Sequence, residues 1–381
     1  MRKGWEYKKL GEVLETTSGG TPSKSHKEYY EGGTIPWLRS GEVSKGDIYD
    51  AELYITEEGL KKSSAKLFPI DTVLIAMYGA TVGQVGILKS TMCTNQAICG
   101  ILPNKDFHPN FLKYVLLANK KNYLKQAIGG AQPNISQQVI KSTYIPIVKF
   151  SEQESVVSEL DKINELIRLK KEQLKDFDNL AQSLFYEMFG DPVENEMRWE
   201  VKKLGDVCTF SQGMQVPIEK QKVMPHEGYV RFLRIIDFTQ GKDAPRYVEC
   251  DNDKYILHEK EIAIVRYGTP GFVCTGLVGA IANNLFKLNP ISDNTFIFEY
   301  LVHWLSSSAF QSSIKGRQYG AALQAIKFST IQNINILIPP LPLQHFFAHR
   351  IDQIEHQKAE VQKSITDLET LLASRMQYWF E

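Results

Sequence analysis

The sequence predicts two pseudo-symmetric copies of a mixed α/β (α+β) domain, separated by two long antiparallel helices that form a coiled coil. The nonamer at Trp5–Val13 recurs at Trp199–Val207, which indicates a duplicated unit. Each half contains short β-branched runs between turn residues, followed by one long stretch with heptad spacing of apolar residues. With 381 residues, 43% hydrophobic and 23% charged, the chain has the length of two or three domains and a globular composition, which excludes intrinsic disorder.

The repeat continues in the same order along both halves. Further matches pair Pro36–Val43 with Arg231–Phe238, Val73–Gly83 with Ile262–Gly271, and Ile145–Ile147 with Ile338–Pro340. Because ordered matches recur at similar offsets, the two halves are predicted to share one fold. The predicted boundaries are residues 1–147 for the first domain, 148–190 for the first helix, 191–340 for the second domain and 341–381 for the second helix.

Local signals place elements inside the domains. The apolar runs at residues 72–77 and 83–88 lie between turn residues and predict buried strands. Pro109 precedes an apolar-periodic stretch, which predicts a helix over Asn110–Lys125. The Tyr-Gly pairs that begin at Tyr78 and Tyr267 follow such strands. We predict turns with the tyrosine packed on the core, and direct contact with a base or phosphate is the alternative.

Two helices of nearly forty residues are predicted after the domains. Ser151 and Glu154 form a capping-box pattern for the first, and Gly190 supplies its stop. A helix lying singly on a globular core is the alternative, but a four-heptad seam that occurs twice favours pairing. The second domain begins directly after the first helix, so antiparallel pairing fits best. This arrangement predicts two globular domains at opposite ends of the helix pair, with Leu174 and Leu368 buried between the helices. The predicted seam contains Leu160, Ile163, Ile167, Leu174, Phe177, Leu184, Ile351, Ile354, Val361, Ile365, Leu368 and Leu372.

Several classes of activity lack their sequence signals. The five cysteines contain no CxxC, and neither an ATP-binding loop nor a hydrolase motif occurs. A metal-dependent nuclease rests only on Asp191, Glu200 and Lys202, a loose D…ExK pattern. We therefore expect no metal or cofactor on this chain. No signal peptide or membrane-spanning run is present in the sequence, so a cytoplasmic location is expected.

The charge is segregated although 44 basic and 44 acidic residues give a net charge of zero. Residues 20–145 carry 14 Lys and Arg against 10 Asp and Glu, whereas residues 151–190 carry 5 against 9. No acidic residue occurs from Phe107 to Ser151, or at the equivalent place from Tyr300 to Ile351. Two acid-free stretches in register predict contact with a polyanion such as the DNA backbone.

Candidate DNA contacts lie in these stretches and near the strand ends. The loops at Gly129–Ser136 and Lys315–Gln324 combine glycines with amide side chains, which read base edges, although a polar loop without a ligand is the alternative. Arg39 and Arg234 occupy equivalent positions. Arg266 has Met77 as its counterpart, so it is a candidate for a DNA contact that only the second domain makes. The full set is Arg39, Lys125, Gln132, Asn134, Lys141, Arg234, Arg266, Lys315, Arg317, Gln318, Gln324 and Lys327.

These features together resemble the specificity (S) subunit of type I restriction-modification systems. The resemblance rests on the repeated opening, on SGGTPS at Ser18–Ser23, on the QPNIS loop at Gln132–Ser136 and on the two seam helices. It implies two target recognition domains that each read one half of a bipartite, asymmetric site in double-stranded DNA, with the helices setting the spacer and docking partners.

The same resemblance implies that the chain itself is not catalytic. Two modification (methyltransferase) subunits would use S-adenosylmethionine to methylate adenine, and restriction subunits would use ATP and Mg for translocation and cleavage. The alternative from another class is a coiled-coil scaffold whose globular heads bind protein partners, which zero net charge favours.

Overall fold

The computed structural model describes residues 2, 4–129, 132–241, 243–292, 294–315 and 325–381, with Lys315 described by its backbone alone. The chain divides into two compact units. The first comprises Met1–Lys171 and Ser364–Glu381, and the second comprises Glu172–Lys363. Among the described residues, no helix is both long enough and apolar enough to cross a membrane.

The first unit contains short strands and helices and the beginning of a long helix. Its strands are β1 (Glu6–Lys9), β2 (Thr16–Ser18), β3 (Ile35–Leu38), β4 (Asp47–Ile48), β5 (Tyr54–Ile55), β6 (Leu67–Phe68), β7 (Val73–Ala76), β8 (Val85–Leu88), β9 (Met92–Thr94), β10 (Ile98–Ile101) and β11 (Tyr144–Ile147). Its helices are α1 (Leu10–Val13), α2 (Glu57–Lys61), α3 (Pro109–Ala118), α4 (Lys120–Gln126), α5 (Gln137–Lys141) and the start of α6 (Phe150–Phe189). The strands form sheets in the orders β1-β11, β2-β10-β7-β8-β4 and β5-β3-β9-β6.

The second unit repeats this arrangement with one strand fewer among its described residues. Its strands are β12 (Glu200–Lys203), β13 (Cys208–Gln212), β14 (Tyr229–Leu233), β15 (Arg246–Glu249), β16 (Ile256–Leu257), β17 (Ile262–Val265), β18 (Val273–Cys274), β19 (Gly279–Ile281), β20 (Leu285–Pro290) and β21 (Asn335–Ile338). Its helices are α7 (Leu204–Val207), α8 (Ile235–Thr239), α9 (Phe298–Ser306), α10 (Ser308–Lys315), α11 (Phe328–Gln332) and most of α12 (Leu341–Phe380). The sheet orders are β12-β21, β13-β20-β17-β18 and β15-β14-β19-β16.

The strand register confirms the duplication. In each unit the first and last strands pair antiparallel, β1 with β11 and β12 with β21, so that the two ends of the domain meet. Strand β3 runs parallel to β9 with Leu38 opposite Thr94, and β14 runs parallel to β19 with Leu233 opposite Ile281. The repeated nonamers therefore hold the same structural position, at the antiparallel pair that closes each domain.

In the first unit, the beginning of α6 and the end of α12 run antiparallel. Glu159 accepts hydrogen bonds from Nη2 of Arg375 and from Nε1 of Trp379, both at 3.1 Å. Further along α6, Lys171 pairs with Glu369 at 2.7 Å. Because the contact partner moves back along α12 as the chain advances along α6, the predicted antiparallel pairing is confirmed within this unit.

In the second unit, the end of α6 and the beginning of α12 also run antiparallel. Asp178 pairs with Lys358 at 2.8 Å, and Phe185 packs edge-to-face on Phe347 with ring centroids 5.8 Å apart. Phe185 also stacks on Tyr300 of α9 at 5.7 Å, so the helix end contributes to the domain core.

The long helices thus pack on the domains as well as on each other. In the first unit, the fully buried Leu160 belongs to the same core as Leu10 and Phe111. The alternative of a helix on a globular core therefore applies to the helix ends. The buried seam residues between those ends are Ile163, Ile167, Val361 and Ile365.

Two seam leucines are less buried than the sequence predicted. Leu174 and Leu368 are half-buried rather than buried. Because Ile167 and Ile365 on the same helices are buried, the helix pair covers some seam positions fully and these two leucines only in part.

Two helix boundaries also differ from expectation. α6 begins at Phe150, so Ser151 lies inside the first turn rather than at the cap, and the carbonyl of Lys149 accepts from the N–H groups of the residues three and four positions on. The helix expected over residues 110–125 is two helices, α3 and α4, because the chain turns at Asn119. Gly190 ends α6 with φ +75°, as its sequence position predicted.

Candidate nucleic-acid interface

An exposed tyrosine follows the same strand in each unit. Tyr78 and Tyr267 lie two residues after β7 and β17 and are 43% and 40% exposed. Gly79 and Gly268 come next with φ of +71° and +94°, a left-handed conformation that glycine adopts without strain. Core packing of these tyrosines was therefore a wrong prediction, because the glycine turns the chain directly after the buried strand. We call Met77–Gly79 and Arg266–Gly268 the tyrosine turns.

Each tyrosine turn is bonded to the segment that enters the neighbouring strand. The backbone N–H of Met77 donates to the carbonyl of Ala97 at 2.8 Å, and that of Arg266 donates to the carbonyl of Asn284 at 2.8 Å. Both acceptors lie one residue before β10 or β20. The tyrosine turns and these strand entries therefore form one continuous surface in each unit.

An amide side chain occupies the equivalent place on that surface. Gln96 and Asn283 lie two residues before β10 and β20. The hydroxyl of Thr21 donates to Oε1 of Gln96, and the hydroxyl of Tyr267 donates to Oδ1 of Asn283 at 3.3 Å. Within the described part of the chain, the two amide nitrogens donate no hydrogen bond.

A glycine in each unit lets a loop lie against the strand entry. A Cβ on Gly19 would collide with Oγ1 and the carbonyl oxygen of Thr94, and a Cβ on Gly213 would collide with the carbonyl oxygen of Ala282. No larger residue fits at either position without moving backbone. In the first unit this close approach brings Thr21 to the amide surface.

Arg39 and Arg234 are held by carboxylates at the start of a short 3₁₀ helix and of α8. The N–H of Arg39 donates to Glu42 at 3.1 Å, and its guanidinium donates to Glu52 at 2.5 Å. The N–H and Nε of Arg234 donate to Asp237 at 2.9 Å and 3.1 Å. Glu42 and Asp237 are 3% and 9% exposed, and a buried carboxylate requires such partners. DNA contact by the two arginines stays a prediction.

Arg266 has a contact within its own domain as well. Its Nε donates to the carbonyl of Ile326 at 3.2 Å, and its guanidinium lies 6.0 Å from the ring centroid of Phe328. The N–H of Ile326 donates back to the carbonyl of Arg266 at 2.9 Å, as that of Ile135 does to Met77 in the first unit. The backbone contact is repeated, whereas the arginine side chain is particular to the second unit.

Gln132 and Asn134 lie in a loop that docks on the first tyrosine turn. Asn134 and Ile128 exchange backbone hydrogen bonds of 2.8 Å and 3.0 Å, and the N–H of Gly79 donates to the carbonyl of Pro133 at 2.8 Å. The structure thus brings together the QPNIS loop and the tyrosine turn, which the sequence presents as separate motifs.

The two candidate lysines of the first unit have different surroundings. Lys125 is exposed in α4. Lys141 ends α5, and its Cβ lies 2.9 Å from the place a Cβ on Gly11 would take, so its stem packs on α1. Gln332 holds that position in the second unit.

The remaining candidates lie near the end of the second domain. Lys327 is exposed and precedes α11. Lys315 ends α10 and is described by its backbone alone, while Arg317, Gln318 and Gln324 lie outside the described residues. Their contact with DNA stays a prediction.

A groove in the first unit contains cations that sequence reasoning missed. Lys24, Lys27 and Gln96 are among the residues that line a cavity of about 550 Å³. Two signals could have found it. The lysines follow the SGGTPS motif closely, and the amide pairs Asn95–Gln96 and Asn283–Asn284 precede equivalent strands.

The residues of the D…ExK pattern have local structural partners. Glu200 pairs with Lys202 at 3.1 Å on β12, as Glu6 pairs with Lys8 at 3.3 Å on β1. Asp191 accepts from a backbone N–H two residues on at 2.7 Å. Within the described residues, no group of three His, Cys, Asp or Glu side chains is placed to hold a metal ion.

Comparison with known proteins gives one family. The family model described as "Type I restriction modification DNA specificity domain" matches residues 2–176 and again residues 196–370. The type I restriction enzyme MjaIX specificity subunit of Methanocaldococcus jannaschii is 26% identical over 399 residues, covering 97% of this chain and 91% of that protein. The EcoR124I/EcoR124II specificity subunit of Escherichia coli is 30% identical over 166 residues, covering 42% of this chain and 41% of that protein.

Two solved structures share the fold. One is a chain of a structure titled "Structural basis underlying complex assembly and conformational transition of the type I R-M system". It has a TM-score of 0.63 at 20% identity, covering 100% of this chain and 98% of that chain. The S subunit from M. genitalium has a TM-score of 0.52 at 14% identity, with the same coverage of 100% and 98%.

Proposed function

The chain belongs to the type I restriction modification DNA specificity family, and on that premise we propose how its two domains select DNA. It is the DNA sequence-specificity subunit of a type I restriction-modification complex. In our proposal residues 1–147 and 191–340 are the target recognition domains, and residues 148–190 and 341–381 are the helices between them. The chain recognises DNA, and the chemical steps belong to partner subunits.

The observation that carries this proposal is a repeated surface with different side chains. Both domains place an exposed tyrosine and an amide at equivalent positions, yet the amide is Gln96 in one and Asn283 in the other. Amide groups distinguish base edges in the major groove by donating and accepting hydrogen bonds. Two such surfaces that differ in shape fit an asymmetric, bipartite site in double-stranded DNA.

We assign the acid-free stretches to the phosphate backbone. Lys125, Lys141, Lys315 and Lys327 would neutralise phosphates and fix the domain on the duplex without reading sequence. The candidates for base contact are the guanidinium and amide groups. These are Arg39, Gln132, Asn134, Arg234, Arg266, Arg317, Gln318 and Gln324.

The partners are two modification subunits and restriction subunits. Leu166, Leu169, Leu180 and Leu371 are between 46% and 51% exposed on the long helices, which supports docking of a protein partner there. S-adenosylmethionine would enter with the modification subunits, and ATP and Mg with the restriction subunits. Such a complex acts on cellular DNA, so we propose a cytoplasmic location.

Salt dependence of DNA binding tests the proposal. In the complex with modification subunits, Lys125→Ala and Lys141→Ala should weaken binding to all sequences alike and reduce the slope of log affinity against log salt by about 1 per lost contact. Lys62→Ala is the matched control, because this exposed lysine in the same unit is paired with Glu58 at 2.7 Å. Wild-type binding that ignores both salt and DNA sequence would favour the protein-binding scaffold instead.

An exchange of domains tests the division of labour. Replacing residues 14–147 by the corresponding segment of another specificity subunit should change one half-site and preserve the other half and the spacer. Inserting one heptad between Leu160 and Leu184 keeps the seam in phase and lengthens the helix by about 10 Å. The complex should then lose the original site or accept a longer spacer. Full affinity for the original spacer would show that the helices do not set it.

A further inference from the structure

We propose that Gln96 and Asn283 are equivalent specificity-determining residues, each presenting its amide nitrogen as a hydrogen-bond donor to a base edge in the major groove. The proposal rests on the DNA-reading function proposed above and names the residues that carry it in each domain.

The hydroxyl contacts orient both amides in the same sense. Thr21 donates to the amide oxygen of Gln96, and Tyr267 donates to the amide oxygen of Asn283 at 3.3 Å. A hydroxyl hydrogen on the amide oxygen fixes which end of the side chain faces away from the domain. The nitrogen, with two hydrogens, is therefore the end available to a ligand in both units.

The backbone beneath the two amides is held rigidly by repeated hydrogen bonds. The N–H groups of Asn95 and Ala282 donate at 2.9 Å to the carbonyls of Leu38 and Leu233, the last residues of β3 and β14. The residue after each amide accepts from the tyrosine turn at 2.8 Å. A side chain that is held both at its backbone and at its amide oxygen can select a base because its donor has little freedom to move.

The surroundings suit a nucleic acid. Lys24 and Lys27 line the groove beside Gln96 in the first unit, with Glu31 as the acidic residue among the lining. The rings of Tyr78 and Tyr267 are exposed, and each lies in the turn that donates a backbone hydrogen bond to the residue after the amide. Cations attract the phosphates and an exposed aromatic ring offers contact area, so the amide meets the bases between them.

The donor chemistry restricts the bases that fit. An amide N–H₂ pairs with acceptors on major-groove edges, namely N7 and O6 of guanine, N7 of adenine and O4 of thymine. A carboxylate in the same place can only accept, and its partner in the major groove is the amino group of cytosine or adenine. Gln96→Glu and Asn283→Asp therefore reverse the hydrogen-bonding requirement with little change in size.

The experiment is methylation-site profiling of the complete methyltransferase complex on DNA with randomised half-sites. Gln96→Glu should change the preferred base at one position of one half-site, by about 5- to 150-fold in discrimination. Asn283→Asp should do the same in the other half-site. Gln96→Ala and Asn283→Ala, which remove the donor without adding charge, should relax the same positions and provide the test if a carboxylate variant does not assemble.

Two controls separate a charge effect from a reading effect. Asn104→Asp and Asn252→Asp place the same charge in the same domains, at exposed turns where the side-chain oxygen already accepts a backbone N–H at 2.8 Å and 3.1 Å. Both should leave the methylated sequence unchanged. If they change it as the amide variants do, the effect is general repulsion of DNA and the proposal fails.

The hydroxyl donors give an independent readout. Tyr267→Phe removes the hydroxyl that orients Asn283 and should loosen the same position of the second half-site as Asn283→Ala, whereas Tyr78→Phe should have no such effect. Unchanged sequence preference in all four amide variants overturns this proposal while leaving the proposed function intact. A wild-type complex that methylates without sequence preference overturns the proposed function itself.

Discussion

The two units have the same frame and different exposed side chains. The frame consists of repeated backbone contacts, such as the closing pair of strands and the bond from each tyrosine turn to the next strand entry. The exposed side chains beside the two amides differ. Thr21 holds the amide in the first unit, and Tyr267 holds it in the second. Hydrogen bonds between backbone groups depend little on side-chain identity, so the exposed side chains can vary without altering the fold.

The largest expected effect tests whether equivalent core residues contribute equally to the unfolding free energy of the two units. Leu10 and Leu204 are equivalent, fully buried residues at the start of α1 and α7. Leu10→Ala and Leu204→Ala should each destabilise the unit that contains the residue by about 2–5 kcal/mol. Urea unfolding combined with hydrogen exchange in each unit measures this. If only one of the two substitutions were destabilising, the two residues would not have equivalent roles. Leu166→Ala, at an exposed position, is the control.

The next effect concerns α6, which both units share. Leu174→Pro removes a backbone donor inside the helix and should cost about 3 kcal/mol or more. Association with modification subunits, measured by size exclusion, should fall in parallel. Ser151→Pro is the matched control because it lies in the first turn, where proline is tolerated. Full assembly with Leu174→Pro would contradict a role for the continuous helix.

The buried carboxylates sharpen the comparison at a smaller scale. Glu42→Ala leaves the N–H groups of Arg39 and Glu52 without their acceptor, and Asp237→Ala does the same to the N–H of Arg234. Each loss should cost about 1–3 kcal/mol of unfolding free energy, because a polar group left without a partner pays its desolvation. Thermal unfolding of the two variants should show similar shifts. A loss of sequence preference without a loss of stability would instead assign these residues to reading.

The smallest expected effect is a difference between the two units in how their stability depends on pH. Hydrogen bonds from Arg375, opposed by burial and aided by Trp379, hold the pKa of Glu159 below its ordinary value of 4.5. A lowered pKa stabilises the fold above pH 4.5, and this contribution is lost as pH falls through the folded pKa. Burial alone would lower the pKa of Lys358, but hydrogen bonds to Asp178 and Glu355 raise it above 10.5. That contribution is present below pH 10.5 and is lost as pH rises through the folded pKa.

The measurement compares unfolding midpoints across pH. Glu159→Gln should lower the stability of the first unit at neutral pH, and its difference from wild type should shrink in acid. Lys358→Met should lower that of the second unit, and its difference should shrink in alkali. Gaps that stay constant with pH would show that the two ion pairs do not contribute.

The sequence predicted the duplication because its motifs recur in order. The two nonamers predicted that the halves share one fold, although not the closing strands that they form, and the heptad spacing predicted both long helices. The spacing did not select Phe185 and Phe189, which are buried to 2% and 1% exposure, because a domain covers that end of α6 and shifts the buried face away from Leu184. A one-dimensional apolar pattern contains no information about a third packing partner.

The site was less predictable for a related reason. Loop composition selected Gln132 and Asn134 but not Gln96, whose equivalence to Asn283 becomes clear only when β10 and β20 are placed beside the tyrosine turns. The sequence also gave no sign that the guanidinium of Arg39 would lie against Glu52, thirteen residues along the chain, at 2.5 Å. Long-range pairing, rather than local propensity, decides which polar groups remain available to a ligand.

The strand pair that closes each domain has a consequence for exchange of the segment between its strands. Glu6 lies opposite Ile147 and Glu200 lies opposite Ile338, so the chain enters and leaves each domain at one place. Everything between those two points can lengthen, shorten or diverge while the entry and exit stay together. An exchange of the segment between these joints would therefore keep the entry and exit of the domain in place, while the new segment would still have to fit the core residues that the long helices supply.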